Sequence, residues 1–186
     1  MEVQESTEPT DEPGAPRAEE PAKEDLETRQ VVEFRLGEDY CAIDIGEVDS
    51  IVEIKKVTRI PRTPDSIDGV MDLRGETTAI IDPRTFLGVE GESPDADEQN
   101  VLVLDRPDDK QKIGIRVDEV REVATYTEDR IDTDDDLSNL DTQGISERVS
   151  RGIIRKSNGG EDDAADGDDL NLVVWVDIDA VIGQLK

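Results

Sequence analysis

Histidine is absent from these 186 residues, and with it go the commonest general base and the commonest transition-metal ligand. Most hydrolase and zinc chemistries fall away. A single cysteine, Cys41, leaves no intramolecular disulfide, and it sits in an apolar alternation where a buried small hydrophobe is the expected role. Long apolar runs are missing too. No hydrophobic stretch follows Met1, and Val173-Val174-Trp175-Val176 is far too short to span a bilayer, so a soluble cytoplasmic protein with no direct membrane insertion is expected. There is no glycine-rich phosphate loop after a strand and no Ser-His or Cys-His pair.

Positive charge is also scarce: 21 Lys and Arg face 49 Asp and Glu, a formal net charge of -28. Residues 1–30 hold 10 of the acids and 3 of the bases, so the remainder is strongly acidic in its own right. Such a load self-repels in dilute buffer and is tolerable where salt screens it, which points to a salt-loving cytoplasm such as that of a halophilic archaeon. Nucleic-acid binding is disfavoured. The acids do not form a calcium loop: in Asp132-x-Asp134-x-Asp136, Leu137 and Gln143 stand where glycine and a bidentate glutamate are needed. In the run 161–169, an acidic insertion between two strands, Ala164 and Val173 occupy ligand positions. No metal or other cofactor is expected. Asp72 with Asp82 is a weak candidate for an acid/base dyad, since chance carboxylate pairs abound in so acidic a chain.

Residues 1–29, rich in Glu, Pro, Thr and Ala, lack the large apolar side chains needed to offset ordering entropy and read as a disordered acidic tail. From Val31 the pattern is strand-like. Val32, Phe34 and Leu36 alternate with Glu33 and Arg35, and Gly37-Glu38-Asp39 turns the chain into Tyr40–Ile45, a hairpin. Val48, Ile51 and Ile54 follow at a spacing that suits a helix or a twisted strand. The order then repeats: Val101–Leu104, a turn, Ile113–Val117 and Val120–Val123, with Arg151–Arg155 in the place of Gly69–Arg74. Thr77–Asp82 and Leu172–Asp177 each end in an aspartate able to cap a single helical turn closed by Gly88 or Gly183. Two copies of a strand-rich unit, roughly 30–95 and 96–186, predict a mainly β protein of two small barrels, because closure removes the edges of short sheets.

The most informative stretch is Ile60–Gly88. Pro61 and Pro64 forbid a helix on the approach, and Gly75 permits a sharp reversal directly after Arg74, so a long cation is held at a stiff corner. Its residue chemistry suits either a solvated turn or a hydrogen bond to a partner.

The segment, with its Pro-x-x-Pro, Gly-Val-x-x-Leu-Arg-Gly and Ile-Asp-x-Arg in this order, resembles the CheW family of prokaryotic chemotaxis coupling proteins. Phe34-Arg35-Leu36, Tyr40–Ile45 and Val117-Asp118-Glu119-Val120 extend the resemblance from about Val31 to Leu185. It implies two SH3-like five-stranded β-barrels with short helical turns, the C-terminal end completing the first barrel. It also implies a non-catalytic adaptor that joins the signalling tips of chemoreceptors to the regulatory domain of a CheA-type histidine kinase, beneath the membrane. Carried over residue by residue, the receptor-binding positions are Val48, Ile51, Gly69, Leu73, Arg74, Gly114, Val120 and Val123. For Val48 and Ile51, core packing is the competing role. Kinase-binding residues are not assigned. Ser50 departs from the glutamate common in the family, with Glu47 and Glu53 nearby. The rival readings are a regulatory domain protein of another two-component pathway and a small acidic metal-dependent enzyme. No phosphorylatable histidine is present, and the chain ends at Lys186 directly after the second repeat, which disfavours the kinase itself.

Overall fold

The computed structural model describes residues 27–133, 147–157 and 170–185; the acidic insertion and most of the expected tail lie outside them. Eleven strands form two sheets among the described residues. They are β1 (Thr28–Leu36), β2 (Asp39–Asp44), β3 (Val48–Glu53), β4 (Ile67–Leu73), β5 (Glu76–Ile81), β6 (Asn100–Leu104), β7 (Lys112–Val117), β8 (Glu119–Thr127), β9 (Ile131–Thr133), β10 (Ser150–Ser157) and β11 (Leu170–Val176). Two short helices, α1 (Arg84–Leu87) and α2 (Ile178–Gly183), follow β5 and β11. The element whose periodicity suited either class is thus a strand, β3.

Sheet A has the order β8-β1-β2-β11-β10-β9, and sheet B the order β3-β6-β7-β5-β4. The two are built alike. Each contains one parallel pair, β2 with β11 and β5 with β7, with antiparallel pairs elsewhere. Each has a bulge directly before a glycine, between Ile67 and Gly69 in β4 and between Ser150 and Gly152 in β10. The reason is shared. A Cβ on Gly69 would stand 2.2 Å from the Thr58 carbonyl oxygen, and one on Gly152 would stand 2.5 Å from that of Asp132. In both places a crossing segment closes on the strand, through the Thr58–Val70 bridge in sheet B and through β9 in sheet A.

The sequence repeats do not coincide with the sheets. Sheet B combines β3, β4 and β5 of the first repeat with β6 and β7 of the second, whereas sheet A combines β1 and β2 with β8–β11. The repeats have exchanged their leading hairpins, so a cut near residue 95 separates paired strands. The tail boundary also moves. Thr28 and Arg29 are not tail but the first residues of β1, opposite Thr127 and Tyr126, because backbone pairing to β8 orders them without any apolar side chain.

Both leading hairpins are buried on two faces, which explains their nearly continuous apolar runs. Leu102 and Leu104 enter a central core with Ile115, Val117, Val32, Phe34, Leu36, Cys41 and Ile43, while Val101 and Val103 turn the other way into a core with Met71 and Ile80. A third core, with Val31, Ala42, Tyr126, Ile154, Val173 and Trp175, lies on the far face of sheet A. Cys41 is fully buried, and burial pushes its thiol well above the ordinary range.

Asp177 caps α2, its side chain accepting from the Ala180 N–H at 3.0 Å. Asp82 accepts from the Arg84 N–H at 3.0 Å, and Gly88 closes α1 in the left-handed conformation. Gly183 does not repeat that role, because it ends α2 from within and the cap falls on Gln184 in right-handed geometry.

Candidate functional site

The corner at Arg74 is a two-residue hairpin turn. Leu73 pairs with Glu76, and both central residues have positive φ, 56° at Arg74 and 84° at Gly75. This mirror-type turn matches the strand twist and normally carries Asn-Gly or Gly-Gly. An arginine in the first position is strained by its Cβ. Asp72 braces the turn by accepting the Gly75 N–H at 3.1 Å. Arg74 itself is exposed and makes no ion pair among the described residues.

Lys112 starts β7 opposite Thr78 of β5 and pairs with Glu76 at 3.0 Å, while Gly114 faces Val103 of β6 and Leu104 faces Val48, so the turn and the start of β3 share one end of sheet B. Val48 begins β3 there, half-buried against the central core. Ile51 is 43% exposed. Across the seam between the sheets runs β8, with Val120 against the central core and Val123 52% exposed. The Val120 N–H donates to Asn100 Oδ1 at 3.4 Å, and Asn100 lies opposite Glu53 at the far end of β3. Strand β8 then runs back, since Val123 faces Val32 and Val32 faces Ile43, just before the turn that leads into β3. That turn exposes Ile45 at 37%, a residue that strand alternation assigns to the hairpin and so passes over.

Ile45, Val48, Ile51, Val120 and Val123 therefore border one seam, and Arg74 stands at its Val48 end. The other three predicted positions have different surroundings. Gly69 and Gly114 share a row across sheet B with Ser50, through Ile80 and Val103, but both glycines are buried. A Cβ on Gly114 would lie 2.5 Å from Val101 Cγ1, so its smallness serves packing. Leu73 packs half-buried against the core of Met71 and Ile80. Near Ser50, Glu47 is already engaged: Arg151 holds it at 3.0 Å, and burial raises its carboxyl above the usual range against that attraction. Glu53 is exposed at the end of β3 and makes no ion pair among the described residues.

No acid/base pair forms from Asp72 and Asp82. They sit at opposite ends of the β4–β5 hairpin, one bracing the turn and the other accepting the Arg84 N–H just before α1, with the Asp82 carboxyl raised by burial. Asp132, in the acidic run that fails as a calcium loop, pairs with Arg155 at 2.9 Å, while Asp134 and Asp136 lie outside the described residues. Among the described residues no group of three or more acids or thiols is placed to hold a metal, and no helix is long and apolar enough to cross a membrane.

Two quoted motifs meet in the interior. Arg84, from Ile-Asp-x-Arg, pairs with both oxygens of Asp118, from Val-Asp-Glu-Val, at 2.5 Å. Asp118 also accepts from the Gly37 N–H at 2.6 Å and from Gln99 Nε2 at 3.2 Å. A buried charge so fully satisfied fastens the β1–β2 turn to α1 and to the β7–β8 corner.

Comparison with known proteins follows the same lines. The family described as CheW-like domain matches residues 30–186. A chemotaxis protein CheW of Thermotoga maritima is 25% identical over 161 residues, covering 86% of this chain and 91% of that one. That of Bacillus subtilis is 33% identical over 121 residues, 65% of this chain and 75% of the relative. The crystal structure of the scaffolding protein TtCheW from Thermoanaerobacter tengcongensis shares the fold, with a TM-score of 0.63 at 24% identity over 81% of this chain and 89% of that one. With two matched sheets and a family match over residues 30–186, this protein belongs to the CheW-like domain family of non-catalytic chemotaxis scaffolds.

Proposed function

We propose that this protein is the adaptor that couples methyl-accepting chemoreceptors to a CheA-type histidine kinase, working in the cytoplasm and recruited to membrane-bound receptor arrays. The observation that carries the reading is the seam. Among the described residues five large aliphatic side chains are exposed, and three of them, Ile45, Ile51 and Val123, border that seam. Exposed aliphatics gathered in one place mark an interaction site, and a helical receptor tip offers the complementary apolar ridge. Arg74, strained and unpaired at the end of that seam, adds a charge-assisted hydrogen bond to a receptor acid or carbonyl. Val48 and Val120 support the seam from the central core, while Leu73, Gly69 and Gly114 act indirectly, by keeping closely packed the sheet that carries Arg74. Holding receptor and kinase at once raises the effective concentration of each near the other, so modest pairwise affinities suffice.

The test is co-sedimentation with receptor signalling fragments and, separately, with the kinase regulatory domain, at molar salt. Val123→Asp is expected to keep the fold, since its side chain lies half in water, to abolish receptor retention and to leave kinase retention near wild type. Failure of the wild-type chain to retain either partner would sink the reading.

A further inference from the structure

The segment from Lys55 to Arg62 has no part in that reading. It carries four cations and no acid, in a chain of formal charge -28. Lys55, Lys56, Arg59 and Arg62 are all exposed, as is Ile60 among them. Lys55, Lys56 and Arg62 make no ion pair among the described residues. Arg59 reaches Asp65 only at 3.8 Å, with 77% and 97% of the two side chains in water, a contact of little worth. The backbone course is set in advance by the Thr58–Val70 bridge, the bond from Thr63 Oγ1 to the Ile60 carbonyl at 2.9 Å, and two prolines. Other cations of the fold meet several acids at once: Arg151 meets Glu47, Asp177 and Asp179, and Arg106 meets Asp109 and Asp179. Here four like charges stand together with only the exposed Asp65 as counter-charge.

We infer that the occupant of this strip is the chain's own residues 1–26. They hold nine acids and two bases, a charge of opposite sign to the strip, with few large apolar side chains to direct them elsewhere. Reach is ample. The tail joins at the start of β1, which lies beside the end of β2, and the chain from there to Lys55 is one short turn plus β3. That path is about 40 Å, against roughly 85 Å for 26 extended residues. Tethering supplies an effective concentration on the order of 1 mM, so docking is populated if the free peptide binds with a Kd of about 1 mM or tighter. Screening to a Debye length of about 3 Å at 1 M salt releases it. The tail is therefore a salt-released cover for the basic strip that flanks β4.

The experiment uses the full chain with no receptor or kinase, so its outcome is independent of the coupling reading. Ser6→Cys carries a nitroxide label, and Cys41, fully buried, stays unlabelled in the folded protein. Amide signals of residues 55–62 are expected to lose intensity at low salt and to recover at 1 M salt. Recovery is also expected in two variants at low salt. One reverses the strip (Lys55→Glu, Lys56→Glu, Arg59→Glu, Arg62→Glu), and the other neutralises the tail (Glu2→Gln, Glu5→Gln, Glu8→Gln, Asp11→Asn, Glu12→Gln). Trp175 fluorescence checks that the strip variant is folded, and the tail variant leaves the folded region untouched. Unbroadened strip amides, or broadening that persists in the tail variant, would overturn the inference. So would broadening passed from a labelled chain to an isotopically enriched, unlabelled one, which would place the docking between copies.

Discussion

Replacing Arg74 by asparagine should make the protein more stable and worse at its task. The residue sits at φ 56°, where a Cβ meets the following carbonyl oxygen and costs roughly 1–2 kcal/mol for an ordinary side chain. Asparagine tolerates this region better than arginine, and the paired Asn-Gly is the preferred sequence for such a turn. The guanidinium makes no ion pair within the described fold and is repelled by Lys112, so its removal forfeits little. A gain of about 1 kcal/mol is expected, equivalent to a rise of about 2–4 °C in Tm for a chain of this size. Arg74→Ala separates the two effects. It keeps a Cβ at the strained position and should melt within about 0.5 kcal/mol of wild type. Both variants lose the charge-assisted hydrogen bond, whose ~1.5–3 kcal/mol corresponds to a drop in receptor affinity of about tenfold or more. Calorimetry at matched salt gives the first quantity and co-sedimentation with receptor fragments the second. An asparagine variant that melts below wild type would refute the strain argument, and two variants that bind receptor normally would return Arg74 to solvent.

Other expectations follow from the same contacts. At 1 M salt, where the tail is released, deleting residues 1–26 should leave the thermal midpoint unchanged, whereas deleting 1–30 removes the pairs Thr28–Thr127, Arg29–Tyr126 and Gln30–Thr125 and should lower it; equal midpoints would show that this end of β1 contributes nothing. Gly69→Ala forces its Cβ onto the Thr58 carbonyl oxygen and should destabilise by about 1–3 kcal/mol in urea titration, with loss of receptor and kinase binding together rather than of receptor alone. Asp118→Asn leaves the buried Arg84 without its counter-charge, and a loss of about 3–5 kcal/mol is expected from chemical unfolding; a loss below 1 kcal/mol would mean that solvent reaches the pair. Raising KCl from tenths of molar to molar should raise the midpoint, as screening relieves self-repulsion, and a flat or falling trend would refute that account.

Strand identity was legible wherever alternation or a two-faced apolar run forced it. The β1–β2 hairpin, β6, β7 and the β4–β5 turn all follow from side-chain pattern and glycine placement. Pairing partners were not, because one repeat's hairpin fits the other repeat's sheet as well as its own, and pattern alone holds no information on which is chosen. The start of β1 was hidden for a related reason, since Thr28 and Arg29 are held by backbone hydrogen bonds that leave no apolar trace. Among the candidate positions, Arg74 and Val123 are exposed, Gly69 and Gly114 are buried in close packing, and Ile45 was masked by its place at the end of an apolar strand. The Arg84–Asp118 pair was visible only as two separate motifs, their meeting being a property of tertiary structure.

The exchanged hairpins set an order of assembly. Every strand of sheet B lies between Val48 and Val117, so that sheet has all its partners before the last third of the chain is made. Sheet A cannot close until β11 arrives beside β2, and β2 was among the first strands synthesised. Until then the β1–β2 hairpin carries one apolar face that sheet B can cover and another that nothing yet covers. Long-range pairing of this kind is slow and exposes apolar edges while it waits. On the ribosome, half of the molecule is a folded template, and the other half is an open sheet that the final strand shuts.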